Sequence, residues 1–186
     1  MFGCKQTDYI PIKIKLNLEK EYTKSFGKND YRIRNQIEQD NLNVKTDSVV
    51  EHYYDIKIEI ENVGEKELYI WMMSCSWQRN FEINNNYIYF YPSGCDSNFP
   101  ILKEIKPKSK ITFNGTVRKK IKFDYPNENS IYDKQVELTK VGLIVIDDVY
   151  KPNRGSFDYF NNMGDKSKQK LIWSNGLNLF RVNNQN

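Results

Sequence analysis

His52 is the only histidine in the chain, and that single imidazole limits the chemistry the sequence can assemble. A histidine-built metal site is excluded, and any nucleophile–base pair would have to form around this one residue. Ser48 lies four positions away, but its flanks lack the strained turn that exposes a catalytic serine. The expected role of His52 is therefore structural. Cys75, Cys95 and His52 could formally bind zinc, yet the paired ligand spacing of structural zinc motifs is missing, so neither a metal site nor a cofactor is expected. Carboxylates offer another route. Asp124, Asp133 and Asp158 lie in loop-like sequence and Asp147-Asp148 closes an apolar run; such a set could hold calcium or cleave a glycoside. Adjacent strand residues point to opposite faces, which argues against Asp147 and Asp148 sharing one site. With no EF-hand loop and no phosphate-cradling glycine loop, no catalytic residue is assigned and the protein is expected not to be an enzyme.

Residues suited to recognition are better represented. Trp71, Trp77 and Trp173, with the tyrosines of segment 87–91, could stack on sugar rings or bases, although large aromatics in a domain of this size mostly fill the core. Trp77 stands in the polar segment 74–80 beside Arg79, and this context suggests an exposed contact residue. Arg118, Lys119 and Lys120, followed by Lys122, interleave with Val117, Ile121 and Phe123. On a strand, part of that charge would line one face and could meet phosphate or an acidic surface. The chain lacks alanine and is rich in Lys, Asn, Ile and Tyr, residues that AT-rich codons favour. The net charge of +4 is therefore weak ground for a polyanionic partner, and a protein or glycan partner is expected rather than nucleic acid.

These candidates must be positioned by strands. Ile10, Ile12, Ile14, Leu16 and Leu18 alternate with polar residues and Pro11, which reads as a half-buried edge strand. Segment 19–47 is polar, with Ile33 and Ile37 its only helical spacing, and is expected to be a loop holding at most a short helix. Ile56, Ile58 and Ile60 alternate with Asp55, Lys57, Glu59 and Glu61, placing apolar and charged residues on opposite faces. Turn residues at 62–66 lead to the alternation Leu68, Ile70, Met72, as a hairpin or a sheet crossing. A hairpin is expected over 81–91, a strand after Pro107 with a bulge at Asn114-Gly115, and a long strand over 136–149 with both faces covered. Asn175-Gly176 between apolar runs predicts a C-terminal hairpin with a type I′ turn. Eight to ten short strands without strand–helix alternation predict an all-β, antiparallel, immunoglobulin-like β-sandwich with long loops and at most one or two short helices. The 186 residues suit one domain over 9–186, preceded by a tether over 1–8.

Two resemblances carry these readings further. Phe2-Gly3-Cys4 resembles the end of a bacterial lipobox, with Met1 where leucine is usual; this implies lipid at Cys4 and anchoring in the cell envelope, on the periplasmic or surface side. Setting Cys4 aside leaves Cys75 and Cys95 as an even pair, either a disulfide in an oxidising compartment or two buried thiols. Residues 58–64, then Leu68-Tyr69-Ile70, then Lys106-Pro107-Lys108-Ser109 before Ile111-Thr112-Phe113, look like bacterial immunoglobulin-like and intracellular-protease-inhibitor-like sandwiches. The expected function is a non-enzymatic envelope binding or assembly module. The alternatives are an inhibitor or immunity-type protein presenting loop 74–80 or 151–170 to a protease or toxin, and an enzyme acting on cell-wall glycans.

Overall fold

The alternation that begins at Ile12 forms a strand, and it does not stop where the isoleucines do. The computed structural model describes residues 9–92, 94–125, 136–146, 148–152, 155, 159 and 162–177. In it β1 (Ile12–Gly27) runs antiparallel to β2 (Ser48–Asn62) along their whole length. Segment 19–27 is therefore strand, not loop. Its polar residues are held extended by cross-strand partners such as Tyr22 on Tyr53 and Phe26 on Val49. One residue, Glu19, is extra: the register shifts between Leu18 and Lys20, a β-bulge that locally sharpens the twist.

The helix α1 (Tyr31–Asp40) follows. The Asp30 side chain accepts from the Arg32 N–H at 3.0 Å, and Asn41 ends the helix in the left-handed region at φ 50°. Its Ile33 is buried with Val49 and Ile121 at the far end of the β1–β2 ladder.

The remaining strands are β3 (Leu68–Met73), β4 (Phe81–Ile83), β5 (Ile88–Phe90), β6 (Pro100–Ile105), β7 (Lys110–Lys119), β8 (Val141–Val145) and β9 (Lys170–Trp173). One sheet has the order β1-β2-β7-β5, another β4-β8-β9, and β3 pairs with β6. Every pairing is antiparallel. In chain order the first two sheets match the strand orders ABED and CFG of an immunoglobulin constant-type sandwich, with β3 added between B and C and β6 between D and E. The expected all-β, antiparallel sandwich stands, with α1 a short helix among the described residues.

The two layers enclose one core. Ile14, Leu16, Ile56, Ile58, Ile60, Ile88 and Val117 from the first sheet meet Leu68, Ile70, Met72, Phe81, Val141, Leu143 and Val145. The consecutive apolar residues of β8 are covered on both faces as expected, because Ile144 and Ile146 pack outward on Met73 and Tyr159. Asn80, fully buried, accepts from the Met73 N–H at 2.9 Å and donates to Trp71 O and the Tyr159 hydroxyl. Asn62, also fully buried, fixes the crossing from β2 to β3 by donating to Lys66 O and Ile105 O while accepting from Gly64 N.

Four local expectations are corrected. Segment 81–91 is a crossing rather than a hairpin, because β4 belongs to one sheet and β5 to the other. The β2–β7 register is unbroken at Asn114-Gly115. There the missing side chain makes room instead for Trp77, whose Cζ2 would lie 2.8 Å from an added Cβ. The strand within 136–149 spans only Val141–Val145, preceded by a turn in which Thr139 N–H bonds Val136 O at 3.0 Å. Asn175 and Gly176 do not adopt positive φ, so no type I′ turn forms. The chain continues alongside β8, with Ser174 N–H bonded to Val141 O and Leu177 N–H to Thr139 O. Asn175 turns its amide onto β1, accepting from Leu16 N at 2.9 Å and donating to Leu16 O at 2.8 Å. A side chain there takes the place of a neighbouring strand. The second strand of that expected hairpin falls largely outside the described residues, as do Cys4, Asp133, Asp147 and Asp158.

Candidate functional site

Period-two alternation puts one set of β2 side chains into the core and the other on the outer face of the β1-β2-β7-β5 sheet. Register then decides which outer residues meet. Tyr22 of β1 lies opposite Tyr53 of β2, Tyr53 opposite Arg118 of β7, and Arg118 opposite Tyr89 of β5. A row of three tyrosines and one arginine thus crosses all four strands. In the next row Lys20, Asp55 and Thr116 are aligned, with Tyr91 beside Thr116 through a 2.8 Å backbone bond.

The rings are packed against one another. Tyr22 and Tyr53 stack with centroids 5.2 Å apart and planes 7° from parallel, and Tyr91 meets Tyr53 edge-on at 5.7 Å. The Arg118 guanidinium lies 5.0 Å from the Tyr89 ring and 5.7 Å from that of Tyr91, and the Lys24 ammonium lies 4.9 Å from that of Tyr53, within cation–π range. Beneath them is a nearly dry ion pair: Arg118 Nη1 donates to Glu51 Oε1 at 2.8 Å, with side chains only 13% and 2% exposed. The Tyr53 hydroxyl donates to the other Glu51 oxygen. Burial and this bond to a carboxylate push the Tyr53 phenol up to about 12. Arg118 Nε is buried without a hydrogen-bond partner among the described residues.

Asp55 joins this cluster to open surface. Its Oδ1 accepts from the Thr116 hydroxyl at 2.7 Å and the Tyr22 hydroxyl at 3.5 Å. Burial and the Asp55 charge raise the Tyr22 phenol. From Asp55 a cleft of about 830 Å³ extends along the outer face, lined by Glu19, Lys57, Thr112, Asn114 and Thr116. On the opposite side the platform is bounded by α1 and its cluster with Val49. Such a surface can offer aromatic faces, two carboxylates, an amide and hydroxyls to one ligand.

No protein-family model, curated protein or solved structure matches this chain.

The residues singled out from sequence scatter. Arg118 is central to the platform. Lys119 points to the other side of β7, buried in an ion pair with Asp124, and Lys120 follows half-buried beyond the strand end. The three cations therefore do not share one face, and two of them are neutralised by carboxylates. Trp77 is not the exposed residue expected. It sits on a 3₁₀ turn (Trp77–Asn80) and packs between the sheets against Phe81, Phe90 and Phe113, with centroids 5.2–5.8 Å away. Arg79, next along, is exposed. Segment 74–80 is thereby anchored inward by Trp77 and Asn80, and it is also held by a Cys75–Cys95 disulfide. Closing that loop of about twenty residues contributes on the order of 3 kcal/mol. His52 lies opposite Thr23 in the ladder, half-buried. Ser48, four residues along the same strand, is about 13 Å away, too far for a hydrogen bond. Among the described residues no group of three or more His, Cys, Asp or Glu could hold a metal ion.

Glu51, Tyr22, Tyr53 and Asp55 were not anticipated as site residues. For β2 the signal was present, because Glu51, Tyr53 and Asp55 occupy alternate positions that extend the charged face of Lys57 and Glu59. Nothing in the sequence of 19–27 alone announces that Tyr22 joins them.

Proposed function

We propose that this protein is a non-enzymatic binding module of the bacterial cell envelope, held there by lipid at Cys4, and that it binds through the outer face of its β1-β2-β7-β5 sheet. The observation that carries the reading is the row Tyr22, Tyr53, Arg118 and Tyr89 with the adjoining Asp55 cleft. A sheet face needs no stacked aromatics to stay soluble; charged and small polar residues suffice, as they do at Lys13, Lys15 and Glu61. Tyr91 is exposed and Tyr22 and Tyr89 are partly exposed over the buried Tyr53; such aromatics beside a polar cleft, held rigid by a buried ion pair, suit contact with a ligand. The Cys75–Cys95 disulfide supports an oxidising compartment.

The test is co-sedimentation of the purified protein, without lipid and with Cys4→Ser in every sample, with envelopes isolated from the organism that makes it. The protein with its face intact is expected in the pellet, and the double variant Tyr22→Ser/Tyr91→Ser in the supernatant. Equal sedimentation of the two would contradict the reading. The tether is tested separately: Cys4→Ser should abolish incorporation of a palmitate analogue in the native host, and equal labelling would remove that part.

A further inference from the structure

We propose that the ligand of this face is a neutral oligosaccharide, whose pyranose rings lie against Tyr22 and Tyr91 and whose hydroxyls enter the cleft at Asp55. This rests on the reading of the outer face as the binding surface and adds the chemical class of what binds there. A sugar ring is amphipathic: its C–H face is apolar, and its rim carries hydroxyls that both donate and accept. The platform matches the first property. Tyr91 is 38% exposed, Tyr22 is partly exposed, and the two are arranged around Tyr53 in planes far from parallel, the Tyr53–Tyr91 angle being 76°. Aromatic faces of this kind bind apolar C–H surface while keeping their hydroxyls wet.

The cleft matches the second property. Glu19 and Asp55 are acceptors, Lys57 is a donor, and Thr112, Thr116 and Asn114 can be both. A ligand of pure acceptors, such as a phosphate chain, would leave the carboxylates facing like charge. A ligand of pure donors would leave the ammonium and amide N–H groups unmatched. Hydroxyl groups satisfy every member of the set.

Charge separates this class from the other ligands that stack on tyrosine. Glu19 and Asp55 outnumber the single cation Lys57 in the cleft, and the most deeply placed cation of the platform, Arg118, is already paired with Glu51. A single-stranded nucleic acid would need a cationic track along its path; Lys20 and Lys24 lie 5.2 and 5.7 Å from the Tyr22 ring, but the cleft that the chain must follow holds two carboxylates against one ammonium. An open cleft is also suited to a chain that passes over the face, rather than to a small molecule enclosed on all sides.

Isothermal titration calorimetry with chitohexaose, cellohexaose and maltohexaose, and with hexathymidylate as the polyanionic comparison, tests this. At least one hexasaccharide is expected to bind wild type, with hexathymidylate inert. Tyr91→Ser and Tyr22→Ser should each weaken that binding about ten-fold. Asp55→Asn, which keeps the side-chain shape, should weaken it by a smaller factor, and Tyr31→Ser, on exposed α1, should leave it unchanged. Unchanged circular dichroism of each variant checks that it folds. No binding of any hexasaccharide at millimolar concentration overturns the inference, and so does binding that is equal in wild type and the tyrosine variants. If envelope sedimentation is lost in the tyrosine variants while no hexasaccharide binds, the binding face stands and the glycan assignment falls. Binding of hexathymidylate that is lost in Tyr91→Ser would have the same meaning.

Discussion

The β1–β2 ladder has two halves, divided by the bulge at Glu19. In one, residues 12–18 pair with 56–62, and Ile14, Leu16, Ile56, Ile58 and Ile60 face the opposing sheet while Lys13, Lys15, Lys57 and Glu61 face water. In the other, residues 20–27 pair with 48–55, and the weight shifts to the outer face: Tyr22 and Tyr53 stack there over Glu51 and Arg118, and Phe26 and Val49 are covered by α1. The same two strands thus serve the core in one half and the surface in the other. A half whose inner face meets a second sheet is constrained to plain apolar alternation. Beyond the bulge the outer face is free to carry aromatic and charged residues.

This contrast can be broken most forcefully in the core half. Ile58 is fully buried, and Ile58→Ala should destabilise the protein by about 4 kcal/mol, lowering the thermal midpoint by about 10 °C in a circular dichroism melt. Next in size is the one buried ion pair of the other half. Glu51→Gln leaves Arg118 without its partner and should cost about 3 kcal/mol; chemical denaturation reads the loss. It should also loosen Tyr53 and so weaken envelope sedimentation, which Ile58→Ala should not.

High pH attacks the same place reversibly. The Tyr53 phenol, raised from 10 to about 12, binds its proton more tightly in the folded state than in the unfolded one. Its contribution is therefore complete below pH 10 and disappears as pH rises toward 12. Denaturation midpoints at pH 9, 10 and 11 should reveal a loss of about 1 kcal/mol from this group by pH 11, and Tyr53→Phe should reduce the slope. Tyr159, raised to about 12 by burial on the opposite layer, keeps a residual slope in that variant. A loss of similar size belongs to the sheet edge: Asn175→Ala removes two bonds to the Leu16 backbone and should cost about 1 kcal/mol without touching sedimentation.

The two halves also differ in how much of them could be read from sequence. Residues 55–61 and 12–18 declared themselves, because burial against a second sheet writes an alternating pattern, and the sandwich followed from several such patterns. Segment 19–27 did not. Its extended form comes from pairing with β2, and the bulge at Glu19 shifts the phase of its side chains relative to Leu18. The Asn175-Gly176 pair misled for a related reason: the local preference for a tight turn was overridden by tertiary bonds from Ser174 to Val141 and from Asn175 to Leu16. Trp77 misled because its neighbours in sequence are polar, while its neighbours in space are Phe81, Phe90, Phe113 and the bare Cα of Gly115. Of the site, Arg118 and the tyrosines of segment 87–91 were visible as residue types. Their alignment with Tyr22 and Tyr53 depends on the register of four strands, which no single segment encodes.

The division of labour along the ladder is tested most directly by measuring folding free energy and envelope sedimentation on the same preparations of Ile58→Ala and Tyr91→Ser, at a temperature where both are folded. The account predicts opposite profiles: Ile58→Ala loses stability and still sediments, whereas Tyr91→Ser keeps its stability to within about 1 kcal/mol and stays in solution. If both variants lose stability and sedimentation together, or if Tyr91→Ser sediments like wild type, the outer face is ordinary packing and the account is wrong.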